Sequence, residues 1–295
     1  MQLSLAWWNT ALSPNAKMNR AGDEARALVA AVLRKMLGEA GTDFVALGEI
    51  SEEDLEAIRA ALPEFANDFE FRSTADPAGR SHFDTALVWN RRLAVFPGPI
   101  IVRYVGGRAF RVAQRFDIGL ADHDDLQLHC YVSHWPSRLS LLSESDRNLN
   151  GTMLRQAIEN HEDARPFLLL GDYNAEPFEC AIHEALQSTR DITLAKERPH
   201  LLYNPFWRHM SSYVHGDANH RFTDAGTMYL SGDLWTKWKT VDQMLFSSSL
   251  VSGLHPWQLD EVATRVFDVV ELRDLVEQAS TAFDHLPIVG RIRRN

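Results

Sequence analysis

An α/β protein is expected from three features of this 295-residue chain. Short apolar runs such as Phe167–Leu170 have the length and composition of strands buried on both faces. Between them lie segments with apolar residues at helical spacing. Several of the apolar runs end in a polar residue, as strands do when their carboxyl ends frame a site.

Leu3–Trp8 reads as a buried strand with Asn9 at its end, either a turn residue or a group facing a site. From about Ala21 to Glu39 the residues Leu28, Val29, Val32, Leu33, Met36 and Leu37 share a helical face, and Gly38 and Gly41 supply the stop. Phe44–Glu49 is a second buried strand. Ser51 reads as the N-cap of a helix running to Pro63, with Glu52, Glu53 and Asp54 in its first turn. Those three acids have a structural task. Glu49 closes the strand itself, and a carboxylate there needs a cation or hydrogen bonds, which makes it a metal-ligand candidate.

Strands are expected at 68–72 and 84–89, joined by a polar loop with Pro77, Gly79 and Arg80. A hairpin over 93–104 and 109–120 turns at Gly106-Gly107. The strand at 126–132 runs into Ser133-His134-Trp135-Pro136-Ser137-Arg138. An imidazole at such a strand end is either structural or placed to bond a phosphate or protonate a leaving oxygen. Residues 147–160 form a helix. The strand at 167–170 ends at Gly171, Asp172 and Asn174. This carboxylate and carboxamide either build an Asx turn or orient a water beside a phosphate or hydrated metal. A helix follows at about 178–187.

Residues 190–240 read as a loop-rich, substrate-facing segment. Tyr203, Phe206, Trp207, Arg208, His209, Tyr213, Arg221, Phe222, Tyr229, Trp235 and Trp238 serve there either for base stacking or for packing. In the strand at 240–247, Asp242 is flanked by apolar residues and needs a partner. The Asp284-His285 pair near the C-terminus offers one.

The formal net charge is -10, which argues against a general nucleic-acid coat protein but not against an enzyme. Arg103, Arg108, Arg111 and Arg115 form either a phosphate-facing strip or a solvated ribbon face. No apolar run reaches the roughly 20 residues of a bilayer span, and the N-terminus lacks the regions of a signal peptide. Two cysteines suit neither a disulfide framework nor a structural zinc, so a reducing cytoplasm is expected. No linker or repeat divides 1–295, which reads as a single domain. No protein partner can be inferred.

The ordered set Trp8-Asn9, Leu47-Gly-Glu49, Ser133-His-Trp-Pro-Ser137, Leu170-Gly-Asp-Tyr-Asn174, Val241-Asp242 and Asp284-His-Leu-Pro287 resembles the endonuclease/exonuclease/phosphatase superfamily. That group contains DNase I-like nucleases, abasic-site endonucleases, sphingomyelinases and inositol polyphosphate phosphatases. His134-Trp-Pro-Ser-Arg138 and Trp238-Lys-Thr-Val-Asp-Gln-Met-Leu245 look most like its bacterial nuclease-like branch. The resemblance implies a four-layer α/β/β/α sandwich of two mostly antiparallel sheets. It implies phosphodiester hydrolysis with Mg2+, for which Mn2+ can substitute, most simply on DNA or RNA. A phosphomonoesterase or lipid-headgroup hydrolase on the same scaffold is the alternative, and a silent binding module the remote one. By position, Glu49 binds the metal with Asn9 and Asp284 nearby. Asp172 activates water, Asn174 bonds the phosphate, and His285, paired with Asp242 or Asp284, binds phosphate. His134 matches an upstream histidine, and Arg138 and Trp207 are candidate substrate contacts.

Overall fold

The computed structural model describes every residue except 14–21, 75, 79–80, 84, 106, 122, 138–143, 161–164, 212–225, 279–280 and 295. Arg138, Tyr213, Arg221, Phe222 and the first glycine of the expected Gly106-Gly107 turn lie outside the described residues. Two large mixed sheets, each largely antiparallel, pack face to face with helices on their outer sides. The expected sandwich is therefore the observed one.

In the first sheet, Gln2–Asn9 is central. It pairs parallel with Phe44–Gly48 and antiparallel with Ile288–Arg294. Thr85–Asn90 and Phe69–Ser73 extend one side, and Trp257–Leu259 the other. In the second sheet, Phe167–Asp172 is central. It runs parallel to His123–His134 and antiparallel to Asp242–Ser247. The long hairpin strands Leu93–Val105 and Arg108–Leu120 complete one side.

Side-chain alternation divides the second sheet between two cores. Leu168, Leu170, Cys130, Val132, Met244 and Phe246 belong to the core shared with the first sheet. Leu169, Tyr131 and Leu245 belong to an outer core with Leu154, Ile158 and Ile182. On the far side, Val29, Leu33 and Met36 of the helix Asp23–Arg34 and its π-helical extension Lys35–Glu39 cover the first sheet. The sheets approach so closely at Gly290 that a Cβ there would lie 2.4 Å from Met244 Sδ.

Some elements depart from sequence expectation. The helix expected at about 178–187 is a single π-helical turn, Ala181–Ala185. It abuts Gly151 of the helix Glu144–Glu159, where a Cβ would come within 2.4 Å of the Ala181 carbonyl. The loop-rich segment holds a helix, Ile192–Glu197, a 3-10 turn, Pro205–Met210, and a small hairpin of Met228–Tyr229 with Trp238–Lys239. A short hairpin, Asp76–Ala78 with Ser81–Phe83, replaces the expected polar loop. Both cysteines are free. Among the described residues no helix is long and apolar enough to cross a membrane.

Candidate active site

Strand direction brings the predicted residues to one edge. Asn9, His134 and Asp172 are the last residues of their strands, and Glu49 directly follows the end of Phe44–Gly48. Asp242 opens an antiparallel strand, so it reaches the same edge from the other direction. His285 precedes Ile288–Arg294, which runs antiparallel to Gln2–Asn9.

The buried centre is the trio Asp172, Asp242 and His285. Each offers a ligand-capable atom, and these atoms lie within 4.8 Å of one another. His285 Nδ1 bonds Asp242 Oδ2 at 2.8 Å. The Trp7 indole N–H donates to the other oxygen, Asp242 Oδ1, at 2.7 Å. Facing Asp172 Oδ2 are His285 Nε2 at 3.8 Å, His134 Nε2 at 3.9 Å and the Asn9 amide nitrogen at 3.5 Å. Asp172 Oδ1 accepts the Asn174 backbone N–H at 2.8 Å, an Asx turn that locks the carboxylate. Glu49 Oε1 lies 3.8 Å from His134 Nε2.

The backbone around the site is held in uncommon conformations. Glu49 and Asn174 have φ of 51° and 47°, at about 1–2 kcal/mol each for an L-residue. Gly171 has φ of 152°, and a Cβ on it would lie 1.9 Å from the Ser133 carbonyl oxygen. Only glycine lets the Asp172 strand come this close to the His134 strand.

Burial and neighbouring charge set the protonation pattern. Burial, then the neighbouring Asp242, pushes the Asp172 carboxyl up to about 6. Burial acts to lower His285, but Asp242, Asp284 and Asp172 outweigh it and hold the imidazole well above its ordinary value. His134 is shifted the other way, chiefly by burial, with the charges of His285 and Arg111 adding to it. The two histidines are thus driven apart, one toward the cation and one toward the neutral base.

Two acids lie toward the rim. The Glu49 side chain keeps 23% of its surface and Asp284 50%. Their carboxylate oxygens and the Asn9 carboxamide oxygen are of the chemical kind that a hard divalent cation takes. Asp242 is a poorer ligand than its place in the buried trio suggests, because Trp7 and His285 already occupy both its oxygens. Asn174 has one amide hydrogen committed to the Trp135 carbonyl at 2.9 Å.

The structure does not bring Trp207 into this cluster. Its ring meets Arg190 at 5.2 Å and His183 at 6.4 Å. The expected arginine strip also divides: Arg103 pairs with Asp146, Arg115 with Asp117, and Arg111 donates to the Thr74 carbonyl and to Thr85 Oγ1. Arg111 is buried and acts on His134, although in the sequence it stands out only as one arginine among four. The role of Thr227 was likewise not legible. Its Oγ1 accepts the N–H of Val241 and of Asp242 at 3.1 and 3.0 Å. The hairpin beside it bonds the site through the Tyr229 N–H and the Asp284 carbonyl, 2.8 Å apart, and presents Leu234 and Trp235 at its tip, both over 90% exposed.

A two-sheet sandwich whose strand tips gather carboxylates, a carboxamide and two histidines is an arrangement suited to phosphoester hydrolysis. The profile of the Endonuclease/Exonuclease/phosphatase family matches residues 6–262, and the chain belongs to that family, whose members hydrolyse phosphoester bonds. Compared with curated proteins, the chain has no match in sequence. Among solved structures it is similar to the human Nocturnin catalytic domain with bound sulfate (15% identity, TM-score 0.61, covering 100% of this chain and 95% of that one). It is similar to D. rerio TDP2 complexed with a single-strand DNA product (14%, TM-score 0.63, 99% of both chains). It is also similar to the mannosyl-6-phosphatase Bt3783 of Bacteroides thetaiotaomicron (13%, TM-score 0.61, 99% of both chains).

Proposed function

We propose that this protein is a divalent-metal-dependent phosphodiesterase, a nuclease acting on DNA or RNA. The observation that carries the reading is the convergence on Asp172 Oδ2 of three nitrogens from three other chain segments, each 3.5–3.9 Å away. That spacing is too long for good direct bonds and leaves the oxygen facing groups that a water and a phosphate oxygen can bridge.

In this reading Asp172 takes the proton of the attacking water. His285, kept cationic by Asp242, holds a non-bridging phosphate oxygen together with Asn174. His134, kept neutral, bonds the phosphate or the leaving oxygen through its ring N–H without giving up a proton. Glu49, Asp284 and Asn9 would hold Mg2+, or Mn2+ in its place, and the bound ion offsets charge on the phosphate. Arg138, by its place four residues after His134, is the remaining candidate for substrate contact. The two unpaired cysteines suit a reducing cytoplasm.

The DNA product held by the similar TDP2 structure favours a nucleic-acid substrate. The net charge of -10 and the equal likeness to a sugar phosphatase favour a small phosphomonoester instead. One panel separates them: plasmid, linear DNA, single-stranded RNA, cyclic dinucleotides and phosphomonoesters, each with Mg2+ and with chelator. Chelator-sensitive cleavage of a polynucleotide is expected. Turnover of phosphomonoesters alone would replace this reading with the second, and inertness toward all of them would end both.

A further inference from the structure

We infer that Trp7 is a positioning residue for the His285–Asp242 pair, an assignment that rests on the phosphodiesterase reading of the site. Asp242 is completely buried. One oxygen accepts from His285 and the other from the Trp7 indole at 2.7 Å, while the Asp242 N–H goes to Thr227 Oγ1. A carboxylate bonded through one oxygen can still turn about its Cβ–Cγ bond. Bonding the second oxygen fixes its plane, and with it the ring that Oδ2 orients.

Indole suits this task. It only donates and does not titrate, so it holds Oδ1 without adding a charge to a site already containing four acids and two histidines. The ring is itself fixed. Trp7 is fully buried, and it packs on Gly48 so closely that a Cβ there would lie 2.8–2.9 Å from its ring atoms. Its other neighbour is His134, with ring centroids 5.9 Å apart at 59°. One side chain therefore touches the orienting acid of one histidine and the ring of the other, and borders the residue that leads into Glu49. The adjacent Trp8 extends the arrangement, its indole N–H reaching the His285 carbonyl at 3.2 Å.

Trp7→Phe removes the N–H and keeps an aromatic ring. On bis(4-nitrophenyl) phosphate with Mg2+, kcat should fall about ten- to hundredfold, the scale of a small misplacement of a reacting group, with KM unchanged. In an Asp242→Ala background the same change should cost nothing further, because the coupling partner is gone. Full kcat in Trp7→Phe, or an equal loss in both backgrounds, overturns the inference. A second readout needs no turnover: the far-downfield proton resonance of the His285–Asp242 hydrogen bond should move in Trp7→Phe, and an unmoved resonance also overturns it. A wild type inert toward the diester whose resonance still responds to Trp7→Phe would reject the phosphodiesterase reading and keep the positioning role. If Trp7→Phe does not fold, β-(3-benzothienyl)alanine at position 7 makes the same test, since sulfur replaces the N–H at nearly constant shape.

Discussion

Asp172 and Asp242 are direct cross-strand partners, side by side at the ends of two antiparallel strands, and His134 is the register partner of Asp172 on its other side. Like charges directly opposite on a sheet repel. Here the repulsion is answered by His285, on the segment that leads into Ile288–Arg294 of the other sheet, 2.8 Å from Asp242 and 3.8 Å from Asp172.

That arrangement makes Asp172 expensive to keep. Its carboxyl is raised from 3.8 to about 6, so ionisation opposes folding, and the penalty grows as pH rises through that window and is complete above it. Asp172→Asn should therefore melt several degrees higher than wild type in chelator at neutral pH, with the gap closing below pH 3.8. It should also lose about 10²–10⁴-fold in turnover. Calorimetry across pH, paired with the diesterase assay, checks both halves.

Metal demand should move with Glu49. Glu49→Gln keeps the shape and the left-handed backbone but loses the charge. Half-maximal activity should then need at least about 10–100-fold more Mg2+, with much of the turnover recovered at saturation. A Mg2+ titration of each protein reads this out, and an unchanged midpoint would remove Glu49 from the metal set.

Acid stability should depend on Asp54. Its buried carboxylate accepts from Ser13 Oγ, Ser51 Oγ, the Ser51 N–H and Arg26 Nε. Burial works to raise it, yet these bonds win and hold it below 3.8. Its contribution is present above that value and is lost as pH falls through the lower folded one. Asp54→Ala should cost about 3–5 kcal/mol in urea unfolding at neutral pH, and less in strong acid.

The contact between the sheets can be tested at Gly290. Gly290→Ala should cost about 1–3 kcal/mol through overpacking against Met244. Met244→Ala should itself destabilise, and the double variant should lose less than the two added together.

Much of this site was legible because strand tips are easy to read. Asn9, Glu49, His134, Asp172 and Asp242 each interrupt or bound an apolar run, and strand direction then sends them to one edge. What tied them together was not legible. Trp7 looked like core, and it is core, but its single polar atom faces Asp242 across 235 positions of sequence. Arg111 and Thr227 carry no local pattern that distinguishes them from other arginines and threonines. The expected helix at 178–187 is a single turn that packs against Gly151 of another helix, a tertiary contact that no local spacing encodes. Trp207 has the composition of a stacking residue, and the structure gives it Arg190 as its partner.

Asn9 ends a strand of one sheet and Glu49 directly follows another of its strands, while His134, Asp172 and Asp242 belong to the other sheet, and the Trp7–Asp242 and His285–Asp242 bonds tie the two sides together. Neither leaf of the molecule owns the chemistry. A slip of one leaf past the other by a single strand spacing would leave every helix and strand intact and the reaction centre torn in two. Catalytic competence in this chain is thus a gauge of alignment between its halves, and should vanish before secondary structure does.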